Sequence, residues 1–89
     1  MIQKELSIQN KLGLHARASA KMTQTTGKFA CEVWLTCRGR RVNGKSIMGV
    51  MMLAAGVGSV LGVECIGVDE ALAMVEIEAL VNDLFGEGQ

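Results

Sequence analysis

Three groups of residues in this chain could do chemistry, and each also has a plainer reading. The only histidine, His15, stands in Gly13-Leu14-His15-Ala16-Arg17-Ala18-Ser19, where a loop is expected to become a helix. The first N–H groups of a helix have no partner within it and lie at the positive end of its dipole. A phosphate carried on the His15 ring would meet those amides, at Ala16 and Arg17, with the Arg17 guanidinium close enough to add a second positive contact. Gly13 lets the chain turn sharply into that position. A neutral imidazole is a competent nucleophile, so the pattern suits phosphoryl transfer to and from His15. The plainer reading makes His15 a polar helix cap and Arg17 a solvated side chain, and spacing taken alone favours it.

The second group, Gly39-Arg-Arg-Val-Asn-Gly44-Lys45-Ser46, satisfies the nucleotide-binding pattern G-x-x-x-x-G-K-[ST]. A P-loop, however, wraps backbone amides around phosphates between a buried parallel strand and its helix. Here the preceding segment alternates polar and apolar residues, as an antiparallel strand does, and Arg40 to Val42 itself reads as a strand reached by a hairpin. The chain is also too short for a parallel sheet with helices on both faces. Ser46 is better read as the N-cap of a short helix, its hydroxyl exposed at a positive helix end. Gly56-x-Gly58-x-x-x-Gly62 lacks the dinucleotide-binding spacing and precedes a strand; it reads as a turn.

The third group is Ile47, Met48, Met51 and Met52, crowded onto that short helix. One face cannot bury all four. Ile47, Val50, Met51 and Ala54 share a stripe expected to point inward, leaving Met48 and Met52 outward. Exposed methionines make an adaptable docking surface; gap-filling in the core is the equally weighted alternative.

Elements must hold these groups in place. Residues 2–8 read as a strand with Leu6 and Ile8 on one face. From Ala16 to Thr26 the spacing is helical through Leu14, Ala18 and Met22, with Gly27 as the stop. Along residues 29–37, Cys31, Val33, Leu35 and Cys37 face one way and Glu32, Trp34 and Thr36 the other, as in an antiparallel sheet covered on one face. Arg38-Gly39 is the expected hairpin turn. A helix from Ser46 to about Leu53 is followed by a strand over 59–66, with Leu61, Val63 and Cys65 together. Asp69 is placed to cap the last helix, whose stripe is Ala73, Ile77, Leu80, Val81 and Leu84. The tail Gly86 to Gln89 is expected to fray. The order β-α-β-β-α-β-α buries its apolar faces in two layers, and nothing divides residues 1–89 into more than one domain.

Composition narrows the function classes. Nine basic and nine acidic residues balance, and only three aromatics are present, which disfavours nucleic-acid binding. Cys31, Cys37 and Cys65 lack metal-ligand spacing and read as small core residues in a reducing compartment. No metal or cofactor is implied. The uncharged run Ile47 to Val63 is short for a bilayer span and broken by glycines, and the N-terminus is unlike a signal peptide. A cytoplasmic monomer without membrane insertion is the expectation.

Taken together, Gly13-Leu14-His15-Ala16-Arg17 and Lys45-Ser46-Ile47-Met48-Gly49 resemble the histidine-containing phosphocarrier (HPr) family of the bacterial phosphotransferase system, over essentially the whole chain. The resemblance implies an α+β open-faced β-sandwich, four antiparallel strands with three helices on one face. It implies that His15 accepts a phosphoryl group through Nδ1 from phosphorylated enzyme I and passes it to a IIA-type permease subunit. Arg17 would neutralise the phosphate. Ser46 would be a regulatory phosphorylation site in members whose cells have the dedicated kinase, and Ile47, Met48 and Met51 would belong to the docking surface. The chain departs from the family in carrying Ala18 where many members have proline, and in Gly44 and Gly62, which are expected to loosen their surroundings. Two rivals remain at this point: a minimal P-loop nucleotidase, and a docking module that is never phosphorylated.

Overall fold

The computed structural model describes residues 1–89. Its elements are β1 (Ile2–Ser7), α1 (Ala16–Thr26), β2 (Glu32–Cys37), β3 (Arg40–Asn43), α2 (Ile47–Met52), β4 (Val60–Ile66), α3 (Glu70–Asn82) and a closing 3₁₀ turn (Leu84–Gly86). The strands form one antiparallel sheet in the order β1-β4-β2-β3. Strand alternation separates its two faces. Leu6, Val33, Leu35, Cys37, Leu61, Val63 and Cys65 are buried on the face that the helices cover. They join Ala18 and Met22 of α1, Val50 of α2, and Ala73, Met74, Ile77 and Val81 of α3 in a single core. The other face is open. There the Arg41 guanidinium lies 4.1 Å from the Trp34 ring centroid and its Nε donates to Glu64 at 3.2 Å, a stack that covers part of the uncovered sheet.

The β2–β3 hairpin turns on Arg38 (φ 52°) and Gly39 (φ 79°), the pair of left-handed residues that a two-residue hairpin requires. The segment matching the nucleotide-binding pattern is therefore mostly strand: Arg40–Asn43 pairs with β2, and the Lys45 ammonium donates to the Phe29 carbonyl at 2.6 Å. No loop wraps a phosphate there. Gly44 does not loosen the structure. Its N–H donates to the Val33 carbonyl at 2.7 Å, and a Cβ would stand 2.7 Å from the Val33 side chain, so glycine permits a close approach. Gly62 keeps its pairing with both neighbours, and a Cβ there would make ordinary contact with Thr36 at 3.5 Å.

Two other expectations are corrected. Asp69 precedes α3, but its carboxylate makes no cap bond. It accepts instead from the backbone N–H groups of Ala30 (2.8 Å) and Cys31 (2.9 Å), tying the end of the α1–β2 loop to the start of α3. Sequence spacing cannot reveal this competition, since the two donors lie almost forty residues away. Glu70 bonds the Gly67 N–H at 3.0 Å. On α2, only Val50 turns inward; Ile47 and Met51 are exposed beside Met48 and Met52, and Leu53 and Ala55 beyond the helix supply the remaining apolar contacts. Ala54 is exposed, with φ at 51°.

The Asp69 tie carries a pH dependence. The Ala30 N–H, followed by the other bonds, holds the Asp69 carboxyl below the usual aspartate range despite partial desolvation. Its contribution to stability is fully present above the unfolded-chain value, about 3.9, and is lost as pH falls through the lower folded value. Asp69→Asn is therefore expected to be less stable at neutral pH and to lose less on acidification. Urea midpoints at pH 7 and pH 3 check this, and parallel losses in both proteins would show that the tie contributes nothing.

Candidate functional site

His15 occupies the N-cap of α1 (φ −75°, ψ −177°). Its carbonyl accepts from Ser19 N–H at 2.8 Å, and its Nδ1 accepts from Arg17 N–H at 3.3 Å. The ring thus sits over the first turn of the helix. The Ala16 and Ala18 N–H groups have no hydrogen-bond partner in the protein. The Arg17 amide, expected to be free for phosphate, is engaged by the ring nitrogen itself. The Arg17 guanidinium is exposed and makes no hydrogen bond or ion pair, so its charge is available to an incoming anion. Ala18 is buried within regular helix, so the turn forms without a proline.

The loop before His15 is held by a chain of specific contacts. Gly13 has φ 65°, and a Cβ on it would strike the Ala55 carbonyl oxygen, which accepts from Leu14 N–H at 2.9 Å. The buried Ser19 hydroxyl donates to the Leu14 carbonyl at 3.1 Å. These bonds fasten the His15 loop to the segment leaving α2, and α1 packs against α2. The Ser46 Oγ accepts from Gly49 N–H at 3.1 Å as the α2 cap, and Ser46 remains partly exposed. Ile47, Met48, Met51 and Met52 are between 40 and 65% exposed. They make a larger apolar surface than the stripe suggested.

The tail is where the sequence reading fails. Gly86–Gln89 is folded onto the site. After α3 the chain takes left-handed conformations at Leu84, Phe85 and Gly86 (φ 56°, 53° and 73°). Phe85 is fully buried, and the Lys21 ammonium donates to its carbonyl at 2.7 Å. The turn brings the Glu87 carboxylate against His15 Nε2, and the buried Asn10 amide donates to Glu87 at 3.0 Å and to the Gly13 carbonyl at 2.8 Å. Lys11 N–H donates to the Gln89 carbonyl at 3.0 Å. Burial would raise the Glu87 carboxyl, but hydrogen bonds from Asn10 and His15 and the charges of His15 and Lys21 outweigh it and hold it below the usual range. It is an anion at neutral pH.

Asn10, Lys11 and Glu87 carried no sequence signal of this role. The one available hint was Phe85, a large apolar residue just beyond the α3 stripe that needs a place in the core. An open depression of about 550 Å³ borders His15, Arg17, Lys11 and Glu87. It presents two cations, Lys11 and Arg17, and one ring nitrogen, with the Glu87 carboxylate turned against that ring, and its open shape suits a group arriving on another macromolecule better than a small molecule to be enclosed. No cluster of three or more His, Cys, Asp or Glu side chains could hold a metal ion, and no helix is long and apolar enough to cross a membrane.

Comparisons with known proteins point to one family and one fold. The sequence model of PTS-HPr, described as the PTS HPr component phosphorylation site, matches residues 2–83. The phosphocarrier protein HPr of Neisseria meningitidis serogroup B is 56% identical over 89 residues, covering all of both chains. The crystal structure of HPr from Thermoanaerobacter tengcongensis superposes with a TM-score of 0.94 at 39% identity, over 98% of each chain. The Bacillus subtilis catabolite repression protein Crh, solved as a domain-swapped dimer, matches with a TM-score of 0.75 at 36% identity over 94% of this chain and 97% of that one.

Proposed function

This chain belongs to the PTS HPr family, a phosphocarrier rather than an enzyme, and from that premise we propose that His15 accepts a phosphoryl group from phosphorylated enzyme I and passes it to IIA-type permease subunits. The observation that carries this reading is the His15 Nδ1 directed at the amide-rich first turn of α1, beside an unpaired Arg17 guanidinium. Nδ1 attacks the phosphorus of the donor, the donor's bond to phosphorus breaks with its electron pair, and the reverse event on a second partner regenerates the imidazole. The work of this chain is positioning and charge neutralisation: Arg17 and the free amides of the first turn receive the phosphate oxygens. Transfer requires no cofactor of the protein's own.

Both partners would dock over the same face, in succession, with Ile47, Met48 and Met51 supplying its apolar part. Residues 1–89 act as one unit, and a cytoplasmic monomer suits a carrier that offers one face to two partners in turn. The test is intact-mass spectrometry after incubation with active enzyme I and phosphoenolpyruvate at alkaline pH. One added phosphoryl group, lost on acidification, supports the relay; no addition overturns it.

Ser46 is the regulatory site in this reading, open to a serine kinase and phosphorylase. Aspartate is as good an N-cap as serine, so Ser46→Asp should leave stability within a few tenths of a kcal/mol of wild type. The new charge beside exposed Met48 and Ile47 must be desolvated when a partner docks. Enzyme I is expected to phosphorylate Ser46→Asp with an apparent affinity about tenfold weaker, equivalent to about 1.4 kcal/mol. Unchanged kinetics would remove Ser46 from the docking face.

A further inference from the structure

We infer that Lys11 is the second cation of the phosphoryl site, its ammonium drawing the oxygens of a phosphoryl group on His15 that Arg17 does not take. The inference rests on the reading of His15 as acceptor and adds a residue to it. It starts from the positive charges that the fold leaves unspent. Lys4, Lys28 and Arg41 are paired with Glu78, Glu76 and Glu64. Lys21, Arg40 and Lys45 donate to the backbone carbonyls of Phe85, Met52 and Phe29. Of the nine basic side chains, that leaves Lys11, Arg17 and Arg38 without a partner. Arg38 stands at the β2–β3 turn. Lys11 and Arg17 both border the open depression that holds His15.

Lys11 is held by its backbone and free at its head. Its N–H donates to the Gln89 carbonyl at 3.0 Å, and Gly13 N–H donates to the Asn10 carbonyl at 3.1 Å. The loop is thus closed around a residue whose side chain is exposed. An ammonium on a flexible four-carbon stem can follow a group that comes and goes. Glu87 does not engage it: the positive charges that lower the Glu87 carboxyl are those of His15 and Lys21.

The charge of the loaded site is the reason a second cation matters. A phosphoryl group brings nearly two negative charges at neutral pH. The Glu87 carboxylate against the ring adds to that negative charge. Arg17 supplies one full positive charge, and the free amides of the first turn of α1 supply only partial ones. Lys11, on the same depression, supplies the other. Arg17, with its planar fork, orients the phosphate oxygens, and Lys11 acts as a point charge. No bond to the Lys11 nitrogen forms or breaks, and the ammonium keeps its protons through loading and unloading. Its attraction is exposed to solvent and salt, so it is weaker than that of a buried donor.

Phosphorus-31 NMR of the isolated phosphoprotein reads this with no partner present. Such a group titrates near pH 6, roughly, here among the charges of Arg17, the His15 ring, Glu87 and Lys11. Lys11→Gln is expected to raise the midpoint by about half to one pH unit, the effect of removing one exposed charge a few ångströms away. Lys11→Arg keeps the charge and should titrate as wild type does. Arg38→Gln removes the same net charge outside the depression and should also leave the midpoint in place. Uptake of phosphoryl from enzyme I should fall about fivefold in Lys11→Gln, less than loss of a buried oxyanion donor would cause. An unmoved midpoint in Lys11→Gln, or an equal shift in either control, would overturn the inference while leaving the relay intact. Slower uptake with an unmoved midpoint would likewise overturn it and set Lys11 against the partner instead. If enzyme I fails to phosphorylate the wild type, the relay falls, and loading His15 with phosphoramidate lets the same titration decide the role of Lys11.

Discussion

His15→Ala is expected to take up no phosphoryl group under conditions that convert the wild type fully. The chain has no other histidine, and its remaining nucleophiles are unsuited to the reaction. Cys31, Cys37 and Cys65 are free but buried. Burial, then the neighbouring Cys31, pushes the Cys65 thiol up to about 11, and burial likewise raises Cys31. Neither supplies a thiolate at neutral pH. Ser46 is occupied as the cap of α2 and has no base beside it. The variant loses the N-cap bond, about 1 kcal/mol, and the contact of Nε2 with Glu87, but the helix keeps its buried Ala18, Ser19 and Met22, so it is expected to remain folded. Intact mass at alkaline pH, with circular dichroism alongside, checks the result. Phosphoryl uptake by the alanine variant would move the acceptor elsewhere and leave His15 a cap.

Gly13→Ala is expected to destabilise the protein by about 2–4 kcal/mol, the sum of a left-handed alanine and an overpacked contact. The new Cβ would meet the Ala55 carbonyl oxygen and stand 2.8 Å from the Gly56 Cα. Both are backbone, so neither can swing aside as a side chain would. The chain must retreat, stretching the Leu14–Ala55 hydrogen bond and shifting the loop that carries His15. Gly39→Ala is the internal comparison. Its φ of 79° is equally left-handed, but nothing lies within 4 Å of the added carbon. That variant should lose only the conformational part, about 1 kcal/mol. Urea denaturation of both variants measures the difference. Equal losses would show that the approach of the loop to Ala55 is slack and that strain alone accounts for the effect.

Local chemistry was legible wherever a residue and its partner were near in sequence. His15 and Arg17 stand two apart across a helix start, and Ser46 reaches Gly49 within one turn. The alternation of Val33, Leu35 and Cys37, and of Leu61, Val63 and Cys65, assigned the buried face because side chains on a strand alternate with a period of two. The same alternation argued against a nucleotide-binding loop at Gly39–Ser46, and the pairing of Arg40–Asn43 with β2 agrees. The spacing along α2 misled because a six-residue helix presents more than one plausible stripe. Which one turns inward depended on Leu53 and Ala55, beyond its end.

By itself, then, the sequence determined the elements, the sheet's covered face and the place of His15 at the head of α1, since each follows from periodicity or from a cap. Only the tertiary structure decided the strand order, the use of Asp69 as a tie, and the return of the tail to His15. The physical reason is the same in each case. A backbone N–H or a ring nitrogen takes whichever acceptor the fold brings within reach, and sequence distance does not limit that choice. Glu87 lies seventy-two residues from His15 along the chain, and burying Phe85 brought them together.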